Sequence, residues 1–277
     1  MSLAALDARF PNRRAVITGG ASGLGLAAAE LLAARGWRIA LLDRDEPRLT
    51  SAAEALRAMG SPHCEAITVD TTDESAVTFA IDAFAGRLGG LDLALNSAGV
   101  AVAGDLAETL PADWRWILDV NVLGVVHCCR AEAAHMSAAG RGLIVNVASA
   151  AAFMSAFRMG AYNASKAAVV ALTETLAQEL ADTGVDVAVA MPGFFRTRIM
   201  ESARAPADAR RFGERLMDRA NLEAGPVAEE ILARAAGGAL YVVLPARYRW
   251  LWRFKRLAPR SFTRWLGGLR RRLVQGG

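Results

Sequence analysis

The sequence predicts an α/β protein: a doubly wound parallel sheet of about seven strands with helices on both faces. Three observations carry this. Short apolar runs rich in Val, Ile and Leu recur along the chain, each closing on a polar residue or a turn. Amphipathic or alanine-rich stretches of helical length separate them, the alternation that builds a parallel sheet by crossover connections. The first such unit is a strand, a glycine-rich turn and a helix. With 277 residues, 53% hydrophobic and 22% charged, the chain suits one large core and is too apolar for disorder.

In chain order, residues 13–17 are expected to be a strand. It leads into Thr18-Gly19-Gly20-Ala21-Ser22-Gly23-Leu24-Gly25 and then an alanine- and leucine-rich helix stopped by Gly36. Glycines there allow positive φ and let backbone approach a pyrophosphate seated on the helix N-terminus, the opening unit of a Rossmann-like dinucleotide fold. The spacing is G-x-x-x-G-x-G and not the commoner G-x-G-x-x-G.

A second strand, residues 37–43, ends in Asp43, about 20 residues past the glycines. A carboxylate there takes ribose hydroxyls and repels a 2′-phosphate, which favours NAD. Arg44 follows directly and keeps NADP open, whereas Ser22 lacks the charge to help it. A helix over 47–59 precedes a strand at 65–69 closed by Asp70, either an adenine contact or the N-cap of a helix begun by Thr71, Thr72 and Asp73. The strand 91–95 runs into Asn96-Ser97-Ala98-Gly99, where small residues permit a close backbone pass along a cofactor.

A long helix over 112–139 carries Asn121 in an apolar setting, which is costly for an amide without partners. Asn121 either ties the helix to neighbouring backbone or holds a water where the helix bends. The strand 143–147 leads into Ser149 and then a helix carrying Tyr162 and Lys166. Four residues apart, these two share a helix face. Moving a phenol from a pKa of ~10 to ~7 takes roughly 4 kcal/mol. A positive charge about 4 Å away supplies a similar amount at an effective dielectric near 20. Lys166 and Lys255 are the only lysines in a chain with 32 Lys plus Arg, so lysine at Lys166 asks for a compact point charge.

A strand at 184–190 ends at Met191-Pro192-Gly193, with Phe194, Phe195 and Thr197 beyond; Thr197 is placed to meet a carboxamide. Residues 198–224 are expected to form a helical lid, 227–236 a helix and 239–244 the last strand. No second domain or repeat is evident, so residues 1–246 are expected to be one domain.

Ten basic residues and no acids lie from Arg247 onward, so the chain is net acidic up to residue 246 although its overall charge is +4. This 247–277 extension interleaves arginine with Trp, Phe and Leu, and Pro259 should split it into two short helices. Such a segment suits an anionic bilayer surface or a partner subunit, and nucleic acid less well. Cys64, Cys128 and Cys129 show no CxxC spacing, and His63, His127 and His135 form no metal pattern, so idle thiols and no metal are expected. With no apolar stretch long enough to span a bilayer and no leader pattern at the start, a cytoplasmic chain is expected.

The ordered set Thr18-Gly-x-x-x-Gly-x-Gly25, Asp43, Asp70, Asn96-Ser-Ala-Gly99, Asn121, Ser149, Tyr162-x-x-x-Lys166, and Pro192-Gly193 with Thr197 resembles the short-chain dehydrogenase/reductase family. It spans most of residues 13–245 and departs from the family at Ser97, where a second asparagine is usual. The resemblance implies hydride transfer between a nicotinamide and an alcohol or ketone, with Tyr162 as general acid/base. It further implies that Lys166 holds the nicotinamide ribose and depresses the Tyr162 pKa, that Ser149 bonds the substrate oxygen, and that Asn121 completes a relay. Dimers or tetramers packed through the helices 112–139 and 162–182 are implied too. Ala150, Ala151, Phe153, Met154, Phe157, Phe194 and Phe195 are the expected substrate neighbours, suggesting a bulky apolar secondary alcohol or ketone. The alternatives are an NADPH-dependent 3-oxoacyl reductase and a non-catalytic cofactor-sensing protein.

Overall fold

The computed structural model describes residues 3–218, 220 and 222–275. Residues 219 and 221 of the expected lid and 276–277 of the tail lie outside them. After a short helix α1 (Leu3–Arg9), strand β1 (Arg14–Thr18) leads to α2 (Gly23–Ala33), β2 (Arg38–Asp43), α3 (Glu46–Ala58), β3 (Cys64–Thr68), α4 (Glu74–Leu88) and β4 (Leu93–Asn96). The second half runs α5 (Pro111–Leu118), a π-helical turn (Asp119–Leu123), α6 (Gly124–Ala139) and β5 (Gly142–Val147). It continues with α7 (Ala151–Met154), α8 (Gly160–Glu179), β6 (Val185–Pro192), α9 (Ala207–Asp218), α10 (Ala224–Ala236) and β7 (Tyr241–Leu244). Two helices close the chain, α11 (Ala246–Leu257) and α12 (Pro259–Gln275).

All seven strands pair in parallel in the order β3-β2-β1-β4-β5-β6-β7. Except at the edge strand β3, which is alternately exposed, their interiors are buried on both faces, which is why they read as continuous apolar runs. Alternate residues of β1 enter opposite cores: Ala15 and Ile17 pack with α1, α2, α3 and α10, and Val16 with α4, α6 and α8. Strand order reverses between β1 and β4, so the crevice at the carboxyl ends of these strands is where such a sheet accepts a ligand.

Side-chain caps mark the starts of α3 and α4. Asp45 caps α3 by accepting from the Arg48 N–H at 3.3 Å. At α4 the cap is Asp73, which accepts from Ala76 N–H at 3.0 Å. Asp70 is therefore not the N-cap, because its carboxylate turns back to the Thr72 N–H and hydroxyl at 2.9 and 2.8 Å. The single helix expected over 112–139 is two helices joined by the π-turn at Asn121. The lid begins as turns and becomes helical only at Ala207. Pro259 does divide the tail, as the first residue of α12.

The tail folds back on the sheet. Tyr248 packs so closely over Gly193 that a Cβ there would stand 2.8 Å from the phenol ring. Trp252 stacks 5.0 Å from Tyr241 on β7. Phe262 of α12 is 1% exposed and meets Phe254 edge-on at 5.5 Å, closing α11 and α12 into a hairpin.

Candidate active site

The carboxyl ends of β1, β2, β4, β5 and β6 open on one cavity of about 1250 Å³. Its first wall is the glycine turn after β1. Gly19 has φ of +67° and an added Cβ would lie 2.8 Å from Ala98 N. At Gly25 a Cβ would lie 2.3 Å from the Gly19 carbonyl oxygen. Only glycine lets β1, the α2 start and the 97–99 strip come this close. Thr18 Oγ1 fixes the strip by accepting from Ser97 and Ala98 N–H at 3.1 and 3.2 Å.

Ser22 stands at the N-cap of α2 without a capping bond from its side chain. The free N–H groups of that helix end are therefore directed into the cavity with a hydroxyl beside them. At the end of β2 the Asp43 carboxylate accepts from Ala21 N–H and Asp45 N–H, both at 3.1 Å, so it is held in one orientation with Arg44 next to it. A close-approach glycine cradle, an open helix N-terminus and a fixed carboxylate fit a dinucleotide. Val69, Asp70, Thr71, Ala98, Gly99, Pro192, Gly193 and Thr197 border the same space.

The reactive side chains come from β5, its following loop and α8. Lys166 is 3% exposed, and its ammonium donates to the Val147 carbonyl at 2.9 Å and lies 5.9 Å from the Tyr162 ring centroid. Burial pulls the Lys166 pKa down to about 8. Burial also raises the Tyr162 phenol above its ordinary value, opposed by a hydrogen bond with Ser149. The sequence expectation was a phenol lowered by its lysine. Instead the ammonium is bonded to backbone, and desolvation of the phenolate dominates. Ser149 Oγ in turn accepts from Ala151 N–H at 3.1 Å.

Asn121 has no exposed surface. It accepts from Val100 N–H at 2.8 Å and donates to the Val100 carbonyl and Ser165 Oγ, both at 3.0 Å. The amide ties the π-turn to the strip beyond Gly99. At Gly99 a Cβ would stand 3.2 Å from Asn121 Oδ1 and 3.3 Å from Lys166 Nζ, so the two side chains converge on one point.

Tyr162, Lys166, Ser149 and Asp43 all border the cavity; Asn121, Thr18 and Gly25 support it from behind. Asn96 does not face it. Its amide points into the core, donating to Glu132 Oε2 at 2.8 Å and Asn146 Oδ1 at 2.9 Å. Of the expected substrate neighbours, Ala150, Ala151, Met154, Phe157, Phe194 and Phe195 line the cavity. Phe153 does not: α7 turns it into the core, where it is 5% exposed. Sequence reasoning missed Val120, Met200, Met217 and, above all, Tyr248, Lys255, Phe262 and Leu266 of the tail, all of which line it. The aromatic and apolar interleaving of the tail was the available signal, but nothing in it told which face turns inward.

A family model described as short chain dehydrogenase matches residues 13–208. The cis-4-hydroxycyclohexanecarboxylate dehydrogenase of Sinomonas cyclohexanicum is 38% identical over 202 residues, 73% of this chain and 80% of that one. Human 3-hydroxyacyl-CoA dehydrogenase type-2 is 38% identical over 201 residues, covering 68% of this chain and 75% of that protein. Among solved structures, a short chain dehydrogenase/reductase from Burkholderia phymatum in complex with NAD superposes with a TM-score of 0.82 at 34% identity, covering 88% of this chain and 94% of that one. This chain belongs to the short-chain dehydrogenase/reductase family of oxidoreductases.

Proposed function

We propose that this oxidoreductase is an NAD-dependent dehydrogenase of bulky, largely apolar secondary alcohols, running as a ketone reductase in reverse. The observation that carries it is the shared cavity: Tyr162, Ser149 and Lys166 border one end, the glycine cradle and Asp43 the other, and its walls between are Ala, Met and Phe. The relatives named for 4-hydroxycyclohexanecarboxylate and 3-hydroxyacyl-CoA dehydrogenation support the alcohol class. NAD in the Burkholderia phymatum relative supports the cofactor.

Gly19, Ser22, Gly23 and Leu24 would hold the pyrophosphate, Asp43 the adenosine ribose, and Thr197 the carboxamide end. A bound nicotinamide would supply the hydride chemistry that interconverts alcohol and ketone. Ser149 Oγ and the Tyr162 hydroxyl fix the substrate oxygen, and Tyr162 removes or supplies its proton. Lys166 stands beside the phenol; its charge favours phenolate as the proton leaves. Gly99 keeps clear the space between Asn121 Oδ1 and Lys166 Nζ, where water can carry that proton away. Residues 1–246 thus hold the chemistry. The α11–α12 hairpin adds a wall to the substrate end and an outer face suited to an anionic membrane surface, and subunits would associate through α5, α6 and α8.

The test is nicotinamide absorbance with a panel of apolar secondary alcohols, with NAD and then NADP, in wild type and Tyr162→Phe. Turnover with NAD that falls by at least about a hundredfold in the variant, with NAD binding kept, is expected. Undiminished turnover in Tyr162→Phe would remove the tyrosine from the chemistry. Turnover with NADP alone would overturn the role of Asp43 in favour of Arg44.

A further inference from the structure

The chain has only two lysines, Lys166 and Lys255, among 32 basic residues, and both line the same cavity. Lys166 is accounted for by Tyr162 and the Val147 carbonyl. Lys255 comes from the last turn of α11 and reaches across to the loop after α7. There its ammonium meets Ser155 Oγ at 3.4 Å, a long contact that leaves most of its donor capacity unused.

The setting around Lys255 is apolar. Met154, Ala156 and Phe157 line the cavity from the loop side, and Phe262 and Leu266 from α12. The ammonium is half-buried, and desolvation lowers its pKa. No carboxylate among the described residues pairs with it. The arginines nearby are differently placed: Arg158 is bound by Asp105 and Asp208, and Arg48 and Arg198 by Glu201. Arg44 stands at the far end next to Asp43, and Arg215 is exposed on α9. An ammonium set into an apolar wall beside one hydroxyl is an incomplete ion site, because burial costs it solvation that no protein anion returns.

We propose that Lys255, with Ser155, binds an anionic group carried by the substrate at the end remote from its carbinol. The substrate class narrows to an apolar body with a secondary alcohol at one end and a carboxylate or phosphate at the other. The proposal rests on the dehydrogenase reading above and places the specificity determinant in the C-terminal hairpin. A flexible four-carbon stem ending in a point charge suits this better than an arginine fork, since it can follow anions of differing reach.

The experiment measures kcat/KM with NAD for (ω−1)-hydroxy carboxylic acids of graded chain length, their methyl esters, and the matching hydroxyalkyl phosphates. Full-length wild type, Lys255→Met and Lys255→Arg are compared. In wild type the acid or the phosphate should exceed the ester about tenfold or more at a preferred length, the size expected of one charge-assisted contact. That ratio should collapse towards unity in Lys255→Met and be largely kept in Lys255→Arg. Preference for the carboxylate or for the phosphate identifies which anion the site takes, and either supports it. A wild type that oxidises esters as well as acids, or a Lys255→Met that keeps the full preference, overturns the anion site and leaves the dehydrogenase reading standing. No oxidation of any probe by a wild type that binds NAD overturns both.

Discussion

Glu132 sits in the middle of α6 with no exposed surface, in a polar cluster wholly inside the core. Its Oε2 accepts from Asn96 at 2.8 Å, while its Oε1 and Asn96 Oδ1 have no partner. Asn146 bonds both Asn96 and, at 3.1 Å, Thr173 Oγ1. Burial raises the Glu132 pKa from 4.5 to about 8, so the folded protein keeps a proton that the unfolded chain releases. Unfolding then loses protons between these values, and stability falls as pH rises from about 4.5 towards 8. The slope approaches 1.4 kcal/mol per pH unit for a single such group. Glu132→Gln should retain the acceptor, add a permanent donor and flatten that dependence. Thermal melts of both proteins from pH 5 to pH 8.5 are the measurement, and parallel curves would remove Glu132 as the cause. Little of this was legible. The pair Tyr162 and Lys166 could be read because a spacing of four fixes a shared face, whereas Asn96 and Phe153 carried the right residue types in the right region and point into the core. Which way a side chain turns at a strand end or in a four-residue helix depends on packing that spacing does not encode.

At the scale of the element, the sequence marked Asn121 as a costly amide inside one expected helix, and the structure divides that helix there: the ladder widens to a π-turn over Asp119–Leu123. The amide makes three bonds, two of them to the backbone of Val100, and so it registers α5 and α6 against the strip that ends β4. Asn121→Ala would strand the Val100 N–H and carbonyl in the core. At roughly 1–3 kcal/mol for a buried polar group left unpaired, a loss of about 3 kcal/mol is expected. A drop in the urea midpoint at unchanged slope would show it. A variant as stable as wild type would mean that water replaces the amide fully. Turn residues told the same kind of story with mixed success. Pro259 breaks the tail where expected, while Asp73, read as part of the helix's first turn, is its cap in place of Asp70, which only the actual path of the loop decides.

Considered as a whole, the molecule separates its charge: net acidic through residue 246 and wholly basic beyond it. The α11 helix uses both sides. Tyr248, Leu251 and Trp252 pack inward, and outside them Trp250, Phe254 and Leu257 form a stripe at spacings of four and three, 71%, 37% and 86% exposed. Arg253 lies over the Trp250 ring at 5.5 Å and Arg260 follows exposed at the start of α12, whereas Arg249 pairs with Glu230 and Arg256 lies over the inward Trp252 ring at 4.9 Å. No helix among the described residues is long and apolar enough to cross a membrane. An apolar stripe edged by arginine instead suits the headgroup boundary, where each basic residue contributes about 1 kcal/mol on anionic lipid. Full-length protein should therefore pellet with phosphatidylserine-containing vesicles, not with purely zwitterionic ones, and release as added salt shortens the screening length. Trp250→Ala with Leu257→Ala removes two exposed side chains worth roughly 1.5–3 kcal/mol each when buried in lipid, so partitioning should fall on the order of a hundredfold or more. The fold should be spared, because neither side chain supports the core. Equal pelleting of the two proteins would defeat membrane docking. A double variant that instead sediments as a smaller species would give the stripe to a partner subunit, the other surface that two large apolar side chains held out among arginines can serve.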